Sequence, residues 1–309
     1  MKELYERVRA EIAQVVVGHE RPLAEMLCAL GCRGHVLLEG PPGVAKTLLA
    51  RAFARSLALD FTRVQFTPDM LPSDLTGSIV LRGTELSFRP GPVFTNVLLA
   101  DEVNRTPPKT QAALLEAMGE GQVSVDADDH PLPDPFIVLA TENPIEYEGT
   151  YPLPEAQLDR FLIRVRVGYP NEEAERAMLA LPRRGAGLGP LDAVAPVADR
   201  GELAAVTAEV DATRVTPEVA AYVVSVVRAT RELPSVSLGA SPRAAVHLLA
   251  AARAHARLRE RDYVTPDDVA ALAPGVLAHR LILTPEAELD RFDGEQAVAA
   301  ALREVPVPR

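Results

Sequence analysis

The residues best equipped for chemistry sit together in Gly40-Pro41-Pro42-Gly43-Val44-Ala45-Lys46-Thr47. An apolar run, His35-Val36-Leu37-Leu38-Glu39, precedes them and reads as a short buried strand; Leu48-Leu49-Ala50-Arg51-Ala52-Phe53-Ala54 follows and reads as a helix. Strand, glycine-rich loop, Lys-Thr and helix is the context of a phosphate-binding loop. Main-chain N–H groups in such a loop, and at the start of the helix, point inward and cradle phosphate oxygens. Lys46 would set a compact positive charge on the β- and γ-phosphates, and Thr47 would offer a hydroxyl to Mg²⁺. The expected nucleotide-binding set runs from Gly40 through Leu48. Ala45 stands where a second glycine is usual. A methyl costs little there if φ stays negative, whereas a positive φ would strain the loop.

A phosphate-binding loop needs an acid opposite it. About 55 residues downstream, Asn96-Val97-Leu98-Leu99-Ala100 runs into Asp101-Glu102, like a buried parallel strand ending at its C-terminal edge, where α/β sheets bind ligands. Asp101 would bind Mg²⁺, directly or through water, and Glu102 would polarise the attacking water. A later apolar run, Phe136-Ile137-Val138-Leu139-Ala140-Thr141-Glu142, ends in Asn143-Pro144. The Asn143 amide either meets the γ-phosphate or the lytic water, or merely makes a turn before proline. Near the N-terminus, Val15-Val16-Val17-Gly18 reads as a wall of an adenine pocket or as a core turn, so Val17 and Gly18 join the nucleotide-binding candidates.

These residues need a scaffold. Strands at 35–39, 61–67, 96–102, 136–142 and 162–169, alternating with helices, imply a parallel, doubly wound five-stranded sheet. Short β runs on either side of Gly83, within residues 79–94, read as a hairpin where a plain α/β fold has only a helix. Residues 122–135 read as a second hairpin. An amphipathic helix is expected over Leu4–Val15, a second helix from about Arg21 to Leu30, and a further helix over Lys109–Met118. Pro154 to Phe161 reads as a short helix ending near Arg160. The composition then changes: residues 181–199 are rich in proline and glycine and read as a linker. Beyond it, Thr216-Pro217-Glu218, Thr265-Pro266-Asp267 and Thr284-Pro285-Glu286 share one logic, with Thr at the N-cap, Pro at N1 and an acid in the first turn. Ser241-Pro242-Arg243 follows the same rule. The expected division is an α/β nucleotide-binding region at 1–180, a linker at 181–199, and a small all-α lid at 200–309.

Composition sets outer bounds. The 309 residues are 48% hydrophobic and lack Trp, and aromatics make up 5%, so the core must be mostly Leu, Val and Ala. The formal net charge of −11 and pI near 5.1 argue against a broad nucleic-acid-binding surface. Only Lys2, Lys46 and Lys109 are lysines, which makes the one inside the phosphate loop more noticeable. Cys28 and Cys32 would share a helix face and read as two small buried thiols, since no further Cys completes a zinc site. The charged N-terminus and the lack of an apolar span of about 18 residues point to a cytoplasmic protein without a membrane span.

Taken in order, these motifs resemble the MoxR family of AAA+ ATPases, in the clade with a helix-2 insert. The resemblance rests on Gly40–Thr47, Leu99-Ala100-Asp101-Glu102-Val103-Asn104-Arg105, Leu115-Glu116-Ala117-Met118 with Gln122-Val123, Ala140-Thr141-Glu142-Asn143-Pro144, Glu155-Ala156-Gln157-Leu158-Asp159-Arg160-Phe161 and Gly239-Ala240-Ser241-Pro242-Arg243-Ala244. It covers about residues 15–285 and includes the Ala at position 45. The resemblance implies ATP and Mg²⁺ as ligands, with Thr47 and Asp101 on the metal and Glu102 as the catalytic acid. Asn143 is similar to sensor 1, and Arg243 to sensor 2, the lid arginine that reaches its own subunit's γ-phosphate. Arg160 is similar to the arginine finger that completes the neighbouring subunit's site. Arg105 is either a second arginine acting in trans or a surface residue. The resemblance further implies a homo-hexameric ring, pore- or client-facing hairpins, a von Willebrand factor A domain partner, and chaperone-like remodelling of a client protein. Two other activities fit the same motifs: a nucleic-acid-directed motor, which the acidic pI opposes, and the motor subunit of a magnesium chelatase. A third reading, a switch that holds ATP without turnover, has little need of Glu102.

Overall fold

The computed structural model describes residues 1–126, 128–142, 151, 153–181 and 191–308. Asn143 lies outside the described residues, as do 182–190 of the expected linker. The strands are β1 (Val36–Glu39), β2 (Phe61–Gln65), β3 (Gly77–Arg82), β4 (Glu85–Pro90), β5 (Val97–Asp101), β6 (Gln122–Val125), β7 (Asp128–Pro131), β8 (Ile137–Glu142), β9 (Ile163–Arg166), β10 (Val236–Leu238) and β11 (Ile282–Leu283). The helices are α1 (Lys2–Ile12), α2 (Glu20–Gly31), α3 (Lys46–Ser56), α4 (Pro72–Thr76), α5 (Pro108–Glu120), α6 (Glu155–Leu158), α7 (Glu172–Ala180), α8 (Arg200–Asp211), α9 (Pro217–Ala229), α10 (Pro242–Leu258), α11 (Pro266–Leu277), α12 (Pro285–Leu289) and α13 (Gly294–Glu304).

Five strands form one parallel sheet, as the sequence implies, and the structure sets their order as β2-β5-β8-β1-β9. Successive strand side chains point to opposite faces, and both faces are covered. Val36 and Leu38, Val97 and Leu99, and Ile137 and Leu139 join a core with the N-terminal and later helices. Their neighbours Leu37, Leu98, Ala100, Val138 and Ala140 pack against Leu114, Leu115 and Met118 of α5. Burial on both sides is why these strands read as unbroken apolar runs. Each such Val or Leu contributes about 1.5–3 kcal/mol relative to exposure.

Both expected hairpins form, β3 with β4 and β6 with β7. The Phe88 ring of β4 stacks on His130 of β7 with centroids 3.8 Å apart, so the two inserts touch. In the C-terminal helices the Ser/Thr-Pro starts behave as read. The Thr216, Ser241 and Thr284 side chains accept from the N–H three residues on, and Thr265 forms a capping box with Asp268. Such a cap contributes about 1 kcal/mol. Between these helices lies an antiparallel ribbon, β10 with β11, that the sequence reading did not anticipate. Strands of three and two residues are too short to display a period.

Cys28 and Cys32 are free and pack with Val210 and Ala254. Burial pushes the Cys32 thiol up to about 12. Among the described residues no helix is long and apolar enough to cross a membrane.

Candidate active site

Three adjacent strand ends build the site. β1 ends at Glu39 and passes into the glycine-rich loop; β5 ends at Asp101; β8, lying between them, ends at Thr141-Glu142. They enclose a cleft of about 470 Å³ whose lining includes Pro42, Gly43, Ala45, Lys46, Thr47 and Leu48 on one side. Arg63, Asp101, Glu102, Thr141 and Glu142 line the other.

The loop is held by close main-chain contacts. A Cβ on Gly40 would lie 2.1 Å from the Val167 carbonyl oxygen, so only glycine fits there. Gly43 has φ of 85°. Ala45 adopts φ 62° and ψ 23°, the left-handed region. The negative φ under which its methyl would be free of cost is therefore not what the chain adopts. The N-cap of α3 turns loop into helix through this conformation, at about 1–2 kcal/mol for a residue with a Cβ. Strain of this kind gathers where a ligand is gripped. No side chain caps α3, which leaves its first N–H groups to an anion.

Lys46 Nζ donates to the Gly40 carbonyl at 2.6 Å. Burial lowers its pKa, opposed by Asp101, Glu102 and Glu39. Facing it, Thr141 links the two acids. Its hydroxyl donates to Asp101 Oδ1 at 2.6 Å and accepts from the Glu102 N–H at 2.9 Å. Arg63 of β2 donates to Asp101 Oδ2 through Nε at 2.9 Å and Nη2 at 2.6 Å. Gln65 Nε2 donates to Glu102 Oε2 at 2.6 Å, and Arg105 lies 3.3 Å from the same oxygen. Glu102 is also left-handed, with φ 58°. Beside them Glu142, paired in register with Glu39, is pushed up to about 7 by burial and by Glu39, against Arg164.

Lys46, Thr47, Asp101 and Glu102 thus face one cleft. Arg160 and Arg243 do not line it. Arg160 Nη1 donates to the Leu115 carbonyl of α5 in the same chain, and Arg243 is exposed at the start of α10. Val17 and Gly18 do not line the cleft either; Gly18 faces Pro170 and Ala174, and the next residue, His19, is buried. The sequence reading passed over Thr141, Arg63 and Gln65. Alternation in β2 put Arg63 and Gln65 on one face, but only the pairing of Gln65 with Asp101 across β2 and β5 aims that face at the acids.

A phosphate loop and paired acids at neighbouring strand ends of this sheet define a nucleotide-binding ATPase. Residues 35–163 match the family described as ATPase family associated with various cellular activities (AAA), and residues 228–301 match the AAA lid domain. The chain is 48% identical to the uncharacterized protein YeaC of Bacillus subtilis, over 96% of this chain and 92% of that protein. It is 44% identical to chaperone MoxR1 of Mycobacterium tuberculosis, over 98% and 82%. Identity to protein MoxR of Methylorubrum extorquens is 35%, over 98% and 94%. A solved structure of a suspected ATPase from Cytophaga hutchinsonii superposes with a TM-score of 0.91 at 38% identity, covering 100% of this chain and 96% of that one. The chain belongs to the MoxR family of AAA+ ATPases and is an ATP-hydrolysing enzyme. The nucleic-acid-motor and chelatase readings draw no support from these relatives.

Proposed function

We propose that ATP hydrolysis at this cleft drives chaperone-like remodelling or maturation of a client protein, in a homo-hexameric ring assisted by a von Willebrand factor A domain partner. The observation that carries the catalytic part is the Thr141 hydroxyl, which fixes Asp101 and Glu102 opposite Lys46. The remodelling part is supported by the likeness to a protein named a chaperone.

Residues Gly40 through Leu48 cradle the phosphates, with Val17 and Gly18 toward the base. Lys46 neutralises the β- and γ-phosphates. Glu102, kept ready by Gln65 and Arg105, orients and deprotonates the attacking water. Thr47 and Asp101 are hard oxygen donors suited to Mg²⁺; they would hold the ion, which would supply neutralisation of phosphate charge. Asn143 senses the γ-phosphate, Arg243 reaches it from the lid, and Arg160 completes the neighbour's site. The units are 1–180, 181–199 and 200–309, and the protein works in the cytoplasm.

ATPase rate against protein concentration, for wild type beside Glu102→Gln, tests the reading. The expected specific rate climbs with concentration as rings assemble and falls at least about 100-fold in the variant. A rate flat in concentration and indifferent to Glu102 overturns it. Arg160→Ala should keep nucleotide affinity while turnover falls about 10³-fold or more; loss of nucleotide binding with assembly intact would refute the finger role.

A further inference from the structure

The segment Asp159-Arg160-Phe161-Leu162 is gripped from the lid by groups that the catalytic reading leaves unused. Asp159 divides its carboxylate. Oδ1 accepts from Arg280 Nε at 2.9 Å, and Oδ2 accepts from the Ser241 hydroxyl at 2.9 Å. Arg280 is 5% exposed. Its Nη2 donates to the Phe161 carbonyl at 2.5 Å and to His247 Nδ1 of α10 at 2.6 Å, and its Nη1 reaches the Leu162 carbonyl at 3.4 Å. Ser241 is the N-cap of α10 and accepts from the Ala244 N–H. One hydroxyl therefore fixes the start of the helix carrying Arg243 and also bonds the residue before Arg160.

A buried ion pair is costly to desolvate, and an apolar pair of similar volume often serves stability as well. A pair spanning two parts of the chain specifies how they sit. Together with the Ser241 bond to Asp159, this one ties α10, at Ser241 and His247, to the residue before the arginine that donates to the Leu115 carbonyl of α5.

We propose that Asp159 and Ser241 are positioning residues that couple the lid of each subunit to the arginine it offers its neighbour. Movement of α10 when Arg243 engages nucleotide pulls on Ser241, and through Asp159 resets Arg160, so one subunit's nucleotide state governs hydrolysis next door. This rests on the proposed roles of Arg160 and Arg243.

The test is a mixing experiment with full-length chains. Ser241→Gly removes the hydroxyl while keeping most of the cap, since Gly is a tolerated N-cap; Ser241→Thr keeps both bonds. Ser241→Gly alone should bind a fluorescent ATP analogue as wild type does and turn over about tenfold more slowly, with Ser241→Thr restoring the rate. Glu102→Gln chains have a dead site of their own but an intact Arg160. Mixed in equal amount with Ser241→Gly chains, they should raise the rate per Ser241→Gly chain several-fold. Arg160→Ala mixed with Glu102→Gln is the reference and should rise likewise. If the reference rises and the Ser241→Gly mixture does not, Ser241 acts only on its own site and the coupling is refuted. If the reference itself fails to rise, the finger role of Arg160 falls, and the coupling falls with it. Unchanged turnover in Ser241→Gly alone also overturns the proposal.

Discussion

The two carboxylates of the cleft and the single one at the lid junction are held by arginines in opposite ways. In the cleft, Asp101 pairs with Arg63, whose side chain is 49% exposed, and Glu102 pairs with the half-exposed Arg105. At the junction, Asp159 pairs with Arg280, whose side chain is 2% exposed. Water competes for the first pairs, so their arginines are cheap to release when a phosphate and a cation arrive. At the second, the Arg280 side chain is closed off while Asp159 keeps 18% of its side chain exposed, so water competes far less and the pair is the harder to release. One molecule uses the same carboxylate–arginine chemistry at an open cleft and at a closed junction.

The largest effect should come from breaking the joint on one side. Asp159→Leu leaves the Arg280 guanidinium buried without its counter-charge, which costs about 3–5 kcal/mol. Urea unfolding of that variant should show the loss. Asp159→Leu with Arg280→Met should recover part of it, because the uncompensated charge is gone while the Phe161 and Leu162 carbonyls still lack a donor. A double variant no more stable than the single one would mean that the pair is not what holds the junction.

The second effect sets the two regions against each other in pH. Burial lowers both His35 and His247 to about 4, with Arg280 adding to the effect on His247. His35 accepts from the Val138 N–H and bonds the Met118 carbonyl, and both contacts suit the neutral ring. Their folded pKa lies below the unfolded value, so their contribution is full above about 6.5 and is lost as pH falls toward 4, on the order of 3 kcal/mol for each ring. Glu142 has the opposite sign. Raised to about 7, it contributes fully below its unfolded pKa and loses that contribution as pH rises through 7. Two rings outweigh one carboxyl, so stability should drop between pH 6.5 and 4.5, and Glu142→Gln should steepen the drop. A Glu142→Gln profile shallower than wild type would reverse the assignment.

How much of this was legible depended on distance along the chain. The phosphate loop, the Asp101-Glu102 pair and the Ser/Thr-Pro helix starts are local patterns, and local physics writes them into consecutive residues. The five strands were legible because burial on both faces produces apolar runs. Arg63, Gln65 and Thr141 were not, since their task depends on β2, β5 and β8 lying side by side, and strand order is set by distant packing. Arg280 was hidden more deeply. After α11, Ala278-His279-Arg280 looks like a solvated basic turn, and only closure of the lid on residues 159–162 makes it the most bonded arginine there. Ala45 was legible in identity but not in conformation, because its φ is fixed by how α3 must start.

The smallest effect returns to the cleft and separates the two regions by salt. Arg63→Ala should change stability by no more than about 1 kcal/mol, the range of exposed ion pairs. Whatever change appears in dilute buffer should vanish near 1 M salt, where the screening length falls to about 3 Å. Asp159→Leu should lose nearly the same stability in both buffers, because ions do not enter the space around a buried Arg280. If the two variants respond alike to salt, the contrast between a releasable pair and a fixed joint fails. If only Arg63→Ala responds, the cleft arginine is held by a contact that a polyphosphate can displace, and the junction arginine by one that it cannot.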